Sequence, residues 1–189
     1  MYRCTGMKAK KTGIDLEDEK ALCAMLQKTQ ILLTPEGKVF LDGEDVTSLI
    51  RTDEISLAAS AVSKHPEVRK DLVARQQQMA KGGGFIMDGR DIGTVVLPDA
   101  QVKVFMTASA AARAKRRYDQ NIASGIPSES LEEITKEIEQ RDYQDTHRSA
   151  SPLTQAPGAV VIDTSDMTIQ QVCDAIWALA QPFVIKEEE

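Results

Sequence analysis

The 189 residues carry 23 Lys and Arg against 29 Asp and Glu, a formal net charge of −6, and 42% of them are apolar. That acidity argues against a general nucleic-acid or membrane-surface binder, and the apolar share is enough for one domain with an insertion or for two small ones. Three scattered cysteines (Cys4, Cys23, Cys173) indicate neither a disulfide framework nor a zinc site, no apolar run is long enough to span a membrane, and the N-terminus has no secretory pattern, so a reduced, cytoplasmic protein is expected.

In chain order, residues 4–28 read as helix interrupted near Thr12 and Gly13, with Asp15 or Asp18 able to start the second segment. "QILLTPEGKVFLDG" alternates like a hairpin that turns through Pro35, Glu36 and Gly37. Helices are predicted over 53–63 and 66–80, the second with Pro66 at its first position, where a missing N–H costs nothing. The block 30–81 interrupts an alternation of strands and helices, so it reads as an insertion in an α/β domain formed by 1–29 and 82–189. Two buried strands are predicted at 85–87 and 102–106. Ser109 caps a helix that Gly125 closes, and Ser130 with Glu133 makes a capping box for a helix from Leu131 to about Arg148. "AVVIDTS" reads as a short buried strand, Thr168 opens the last helix, and the tail from Phe183 onward is expected to fray.

The cluster Asp88, Gly89, Arg90, Asp91 falls where the first of those strands ends. Loops at the carboxyl ends of strands in open α/β sheets bind ligands, whereas charges beside a glycine are more often a solvated turn. On the helix from Leu131, steps of three or four give Leu131, Ile134, Ile138, Arg141, Asp145 and Arg148, a stripe that begins apolar and ends charged. Either it packs on the core and then runs over a polar cleft, or it is a surface ion-pair ladder, and both readings stand. Arg113, Lys115, Arg116 and Arg117 crowd four cations into five residues, and a face bearing three arginines suits phosphate. His65 and His147 lack metal-ligand spacing and read as a helix-start residue and a surface residue, and no nucleophile–histidine arrangement can be assembled. The remaining inventory of arginines (Arg3, Arg69, Arg90, Arg116, Arg117, Arg141, Arg148) with Asp88, Asp91 and Asp145 suits transfer between phosphates, where catalysis is mostly positioning and charge neutralisation.

Three stretches, "GFIMDGRDIGTVVLPDAQVKVFMTASAAARAKRR", "EIEQRDYQDTHRSASPL" and "LDGEDVTSLIRTDEISLAASAVSKHPEVRKDLVARQQ", resemble in order and spacing the bacterial cytidylate kinases. The resemblance implies a P-loop NTPase-like nucleoside monophosphate kinase fold, with a parallel sheet, an inserted antiparallel and helical monophosphate-binding domain at 30–81, and a helical lid at about 116–148. It implies phosphoryl transfer from ATP to CMP or dCMP with Mg²⁺, by a monomer that engages nucleotides but neither nucleic acid nor membrane. Carried over by position, Tyr2 and Arg3 fall in a substrate-binding motif, and Arg3, Arg90 and Arg148 grip the CMP phosphate. Asp145 with Arg141 addresses the ribose side, and Ser60, Arg69 and Asp91 read cytosine. Asp88 sits near Mg²⁺ through water, and Arg113, Arg116 and Arg117 neutralise ATP phosphates as the lid closes.

The phosphate-loop pattern G-x-x-x-x-G-K-[ST] does not occur in these residues, since the one Gly-Lys pair, Gly37-Lys38, precedes Val39. By the resemblance, Met1 to Arg3 lie inside the family's S-G-x-x-Y-R motif, so the chain is expected to start after the first strand and the phosphate loop and to have negligible kinase activity alone. The alternatives are a non-catalytic remnant that binds CMP, or another P-loop monophosphate kinase such as an adenylate kinase relative, which the D-G-R-D run disfavours.

Overall fold

The computed structural model describes residues 1–125, 128–148 and 150–184. They form an α/β protein that divides into two compact units, Met1–Phe85 and Ile86–Glu189. The expected fraying beyond residue 184 lies outside the described residues.

In the first unit, helix α1 (Tyr2–Thr12) stops at Gly13, whose φ of 69° closes the helix in the left-handed region. Asp18 accepts from Ala21 N and so starts α2 (Glu19–Leu26), settling the choice between the two aspartates. Strands β1 (Ile31–Leu33), β2 (Val39–Leu41) and β3 (Glu44–Asp45) form an antiparallel sheet in that order. Between β2 and β3 the two-residue loop Asp42–Gly43 has φ of 51° and 87°, positive at both positions as a type I′ hairpin demands. Thr52 and Pro66 open α3 (Asp53–Val62) and α4 (Pro66–Ala80).

Two clusters fill this unit. Ala9, Leu22, Leu26, Val62, Val68 and Leu72 join the four helices, and Cys4, Leu41, Val46, Ile50 and Ile55 join α1 to the sheet. Burial pushes the Cys4 thiol pKa up, so this cysteine behaves as a small apolar side chain. The guanidinium of Arg75 on α4 donates to Leu26 O and Thr29 O, both at 2.8 Å, and so caps the C-terminal end of α2. The closest approach is α1 on α3, where a Cβ at Gly6 would lie 2.9 Å from both the carbonyl carbon and the Cβ of Ala58.

In the second unit, β4 (Val104–Thr107) pairs in parallel with β5 (Val160–Asp163), with Val104 opposite Val160 and Thr107 opposite Asp163. Between them lie α5 (Ala110–Ala123) and α6 (Leu131–His147), which pack on each other, and α7 (Ile169–Ala180) follows β5. Caps form where the sequence places them: Ser109 on Ala112 N, reciprocal boxes at Ser130/Glu133 and Thr168/Gln171, and Gly125 at a φ of 67°.

Two expectations are corrected. Residues 85–87 form no strand. They follow Gly83 and Gly84, both at positive φ, Ile86 is 93% exposed, and no strand among the described residues takes up their backbone groups. The segment "AVVIDTS" does form a strand but not a buried one, since Val160 and Val161 are about half exposed. Two paired strands cannot enclose each other's faces, and parallel strands read as continuous apolar runs because helices ordinarily cover both sides. A further departure is a π-helix at Ile92–Val96, just after Asp91.

Two expected outcomes follow. Replacing Gly6→Ala gains helix propensity but forces α1 off α3, so a net loss of about 1–2 kcal/mol is expected from the shift in urea midpoint. The other concerns pH. Lys8 pairs with the Asp42 carboxylate at 2.5 Å and Gln30 N donates to it at 2.8 Å, which holds its pKa below the ordinary 3.8. A carboxyl depressed in the folded state stabilises fully above its unfolded pKa, and the contribution is lost as pH falls through the folded value. The wild-type melting temperature should therefore fall more steeply than that of Asp42→Asn between about pH 5 and pH 2, by an amount reduced by the partial exposure of this pair. Parallel curves would remove Asp42 from the account.

Candidate functional site

The sequence-predicted residues fall into two groups, one in each unit. In the first unit, Tyr2 and Arg3 occupy the opening turn of α1, Ser60 lies on α3, and Arg69 on α4. Arg69 is only 5% exposed, stands over the Tyr2 ring with its guanidinium carbon 5.4 Å from the centroid, and donates from Nη1 to Ser63 O at 3.2 Å. Desolvation strengthens a cation–π contact of this kind. Arg3 donates from Nη1 to Ile50 O at 2.7 Å, which ties α1 to the turn after the sheet. Ser60 is partly buried on the third helix.

In the second unit, the run Asp88 to Asp91 leads into the π-helix. Val95 N and Val96 N both donate to Asp91 O, at 2.9 and 3.2 Å, which makes the turn wide. A Cβ at Gly93 would come within 3.0 Å of the Ala156 methyl, so the turn lies close against the segment before β5. The Asp91 residue is 6% exposed, while Asp88 and Arg90 on the same run are exposed. Two carboxylates three positions apart on the run that leads into the π-helix are thus one buried and one solvated.

Arg90 reaches the end of α6, where its Nε donates to Asp145 Oδ2 at 2.9 Å. Arg148 approaches the other oxygen, Nη1 to Asp145 Oδ1 at 3.7 Å, and donates from Nε to Ser151 O at 2.7 Å. Leu153 N donates to Asp145 O at 2.8 Å, so the chain after α6 folds back over this cluster. The stripe predicted along α6 is present in part: Ile134 is 1% exposed and Asp145 7%, whereas Arg141 faces outward.

The arginines of α5 are engaged with protein acceptors. Arg113 forms a fork with Asp142, Nη1 to Oδ1 at 2.8 Å and Nη2 to Oδ2 at 2.5 Å, and this partner raises the guanidinium pKa further. Arg117 donates to Glu137 at 3.2 Å. Arg116 turns to the loop after β5 and donates to Thr164 O, to Thr164 Oγ1 at 3.3 Å and to Ser165 O at 3.3 Å. Asp142, Glu137 and the loop 164–167 are the parts of this arrangement that the sequence reading missed. Asp142 and Glu137 lie off the stripe that drew attention, and carbonyl acceptors leave no signature in a sequence. His65 begins α4 with its Nε2 2.8 Å from Leu16 O, and His147 stacks on Tyr143 with centroids 4.0 Å apart. Among the described residues no group of three or more His, Cys, Asp or Glu side chains gathers to hold a metal, and no helix is long and apolar enough to cross a membrane.

The family profile described as "Cytidylate kinase" matches residues 1–182. The chain is 49% identical to the cytidylate kinase of Geobacillus thermodenitrificans (strain NG80-2), 50% to that of Ligilactobacillus salivarius (strain UCC118) and 48% to that of Bacillus subtilis (strain 168). Each comparison extends over 179 residues, covering 93% of this chain and 80% of the relative.

The fork between Arg113 and Asp142 joins α5 to α6, with the two side chains 36% and 42% exposed. Solvent screens a pair this exposed, so a double-mutant cycle of Arg113→Ala and Asp142→Ala should give a coupling energy of about 0.5–1 kcal/mol, falling with added salt. Additive losses would mean that the fork does not hold the hairpin together.

Proposed function

The chain belongs to the cytidylate kinase family, and on that premise we propose that it serves phosphoryl transfer from ATP to CMP or dCMP. The fold read with it is that of a P-loop-type nucleoside monophosphate kinase, in which 30–81 is the monophosphate-binding insertion and about 116–148 the lid. The observation that carries the reading is the placement of a buried carboxylate, Asp91, one residue from an arginine cluster built on Asp145.

Cytosine offers an amino donor at N4 and uracil a carbonyl, so a desolvated carboxylate accepts from the first and repels the second. Such a pairing discriminates by about 1–3 kcal/mol when its geometry is good. Asp91 takes this role, and the family likeness assigns base recognition to Ser60 and Arg69 as well. Arg90 and Arg148 neutralise the acceptor phosphate, a role that the family likeness gives Arg3 also, and charge placed where it develops in the transition state lowers the barrier. Tyr2 belongs to the same substrate-binding motif, and Arg141 lies on the ribose side, where the family likeness also puts Asp145. On the donor side, Arg113, Arg116 and Arg117 serve ATP by exchanging their present acceptors for phosphate oxygens, an exchange between partners of like charge for Arg113 and Arg117.

Mg²⁺ arriving on ATP needs only one or two carboxylates besides phosphate oxygens and keeps several of its waters, so a lone exposed side chain is a fitting contact. Asp88 meets that description and would hold the ion through water. The ion supplies charge neutralisation at the donor phosphates.

Isothermal titration tests the acceptor half directly: CMP should bind more tightly than UMP. Changing Asp91→Asn should erode that preference by about tenfold, because an amide can donate to the uracil carbonyl. An equal loss toward both bases would take Asp91 out of base recognition, and no preference for CMP in the unaltered chain would overturn the substrate assignment.

A further inference from the structure

The last turn of α6 carries an arrangement that burial does not enforce. Tyr143 is 64% exposed and His147 is exposed as well, yet their rings stack with centroids 4.0 Å apart and planes 19° from parallel. Nδ1 of His147 also stands 2.9 Å from Tyr143 O, and since a carbonyl oxygen can only accept, this nitrogen carries the proton and donates. Two side chains that fold back on their own helix in water give up rotamer freedom. The pair offsets that loss with a ring contact and with a donor to a carbonyl near the helix end, a place where the helix dipole also favours histidine.

The turn held in this way is the one from which Arg148 departs. Arg148 caps α6: its N donates to Gln144 O at 3.0 Å, its ψ of 146° leads the chain out of the helix, and its Nε donates to Ser151 O at 2.7 Å. Thr146 reinforces the same turn, donating from Oγ1 to Asp142 O at 2.8 Å. Helix ends open before helix interiors, and each helical residue accounts for ~1.5 Å of rise, so unwinding at His147 would displace the Arg148 guanidinium by more than a close phosphate contact tolerates.

We propose that His147, stacked on Tyr143, is a positioning residue for Arg148: it keeps the last turn of α6 wound and so holds that guanidinium ready for the acceptor phosphate. This rests on the reading of Arg148 as a phosphate contact. His147 itself touches no nucleotide, so its effect follows the phosphate and not the base or sugar, and it passes through Arg148.

The test titrates the protein and its His147→Ala variant with CMP and with cytidine. CMP should weaken about fivefold, within the range of coupled neighbours, while cytidine, which has no phosphate, should bind as before. Tyr143→Leu, which removes the second ring and leaves the imidazole, should weaken CMP in the same selective way. In an Arg148→Ala background the change at His147 should cost CMP no further affinity. An equal loss for CMP and cytidine, no loss for CMP, or a loss that persists without Arg148 would each overturn the proposal. Amide hydrogen exchange, followed by NMR in the ligand-free protein, decides the point independently. The Arg148 N–H should exchange several-fold faster in His147→Ala, although alanine has the higher helix propensity, and an unchanged rate would overturn the proposal. Were the unaltered chain to bind neither ligand, the substrate assignment would fall, and the exchange rate would still decide whether His147 holds the turn.

Discussion

One carboxylate shared by two arginines organises the second unit. Asp145 receives Arg90 from the run that precedes the π-helix and Arg148 from the cap of its own helix, and its backbone oxygen receives Leu153 from the returning chain. Three separate stretches are thereby fixed relative to one side chain. The apolar contribution nearby is small, since among the described residues of this unit the fully or nearly buried apolar side chains are Val96, Ala114, Ile134 and Ala156. In such a setting the polar network sets the geometry, and a carboxylate left unpaired at this depth would cost several kcal/mol.

Arginine does two kinds of work in this chain, and the residue type alone does not separate them. Arg75 and Arg116 gather backbone carbonyls at the ends of elements, a use of the planar fork that requires no ligand. Arg113 and Arg117 lace two helices together through carboxylates. Arg90 differs in that its two terminal nitrogens bond to no other described residue and nearly half its side chain is in water. The distinction between a clamp and a binding residue lies in what is left over after the protein's own acceptors are satisfied.

Local chemistry made the helices readable in advance. Asp18, Ser109, Ser130 and Thr168 cap the helices they precede because a side-chain oxygen there satisfies an N–H that nothing else can reach. The Asp42–Gly43 pair carried an equally local signal for a turn, yet β3 went unread because only two residues follow before the strand ends. The apolar triplet at 85–87 failed for the opposite reason: a strand is completed by a neighbour, and periodicity cannot report whether one is present. Within the site, the run from Asp88 to Asp91 and the stripe on α6 drew attention to Arg90, Asp145 and Arg148. The pairing of Arg113 with Asp142 joins residues 29 positions apart and had no local trace.

The parallel ladder of the second unit also sets an order of events. Thr164 bonds back to Thr107 across 57 positions, so β4 gains its partner only after both intervening helices have been made. Closing a loop of that length costs entropy before any ladder bond offsets it, whereas α5 and α6 form from near neighbours and shorten the distance to be closed. On a ribosome the first unit is complete while β4 still waits, with Val104, Phe105 and Met106 in an extended, apolar stretch. The ladder thus ties the exposure of that stretch during synthesis to the time taken to translate from Thr107 to Val160.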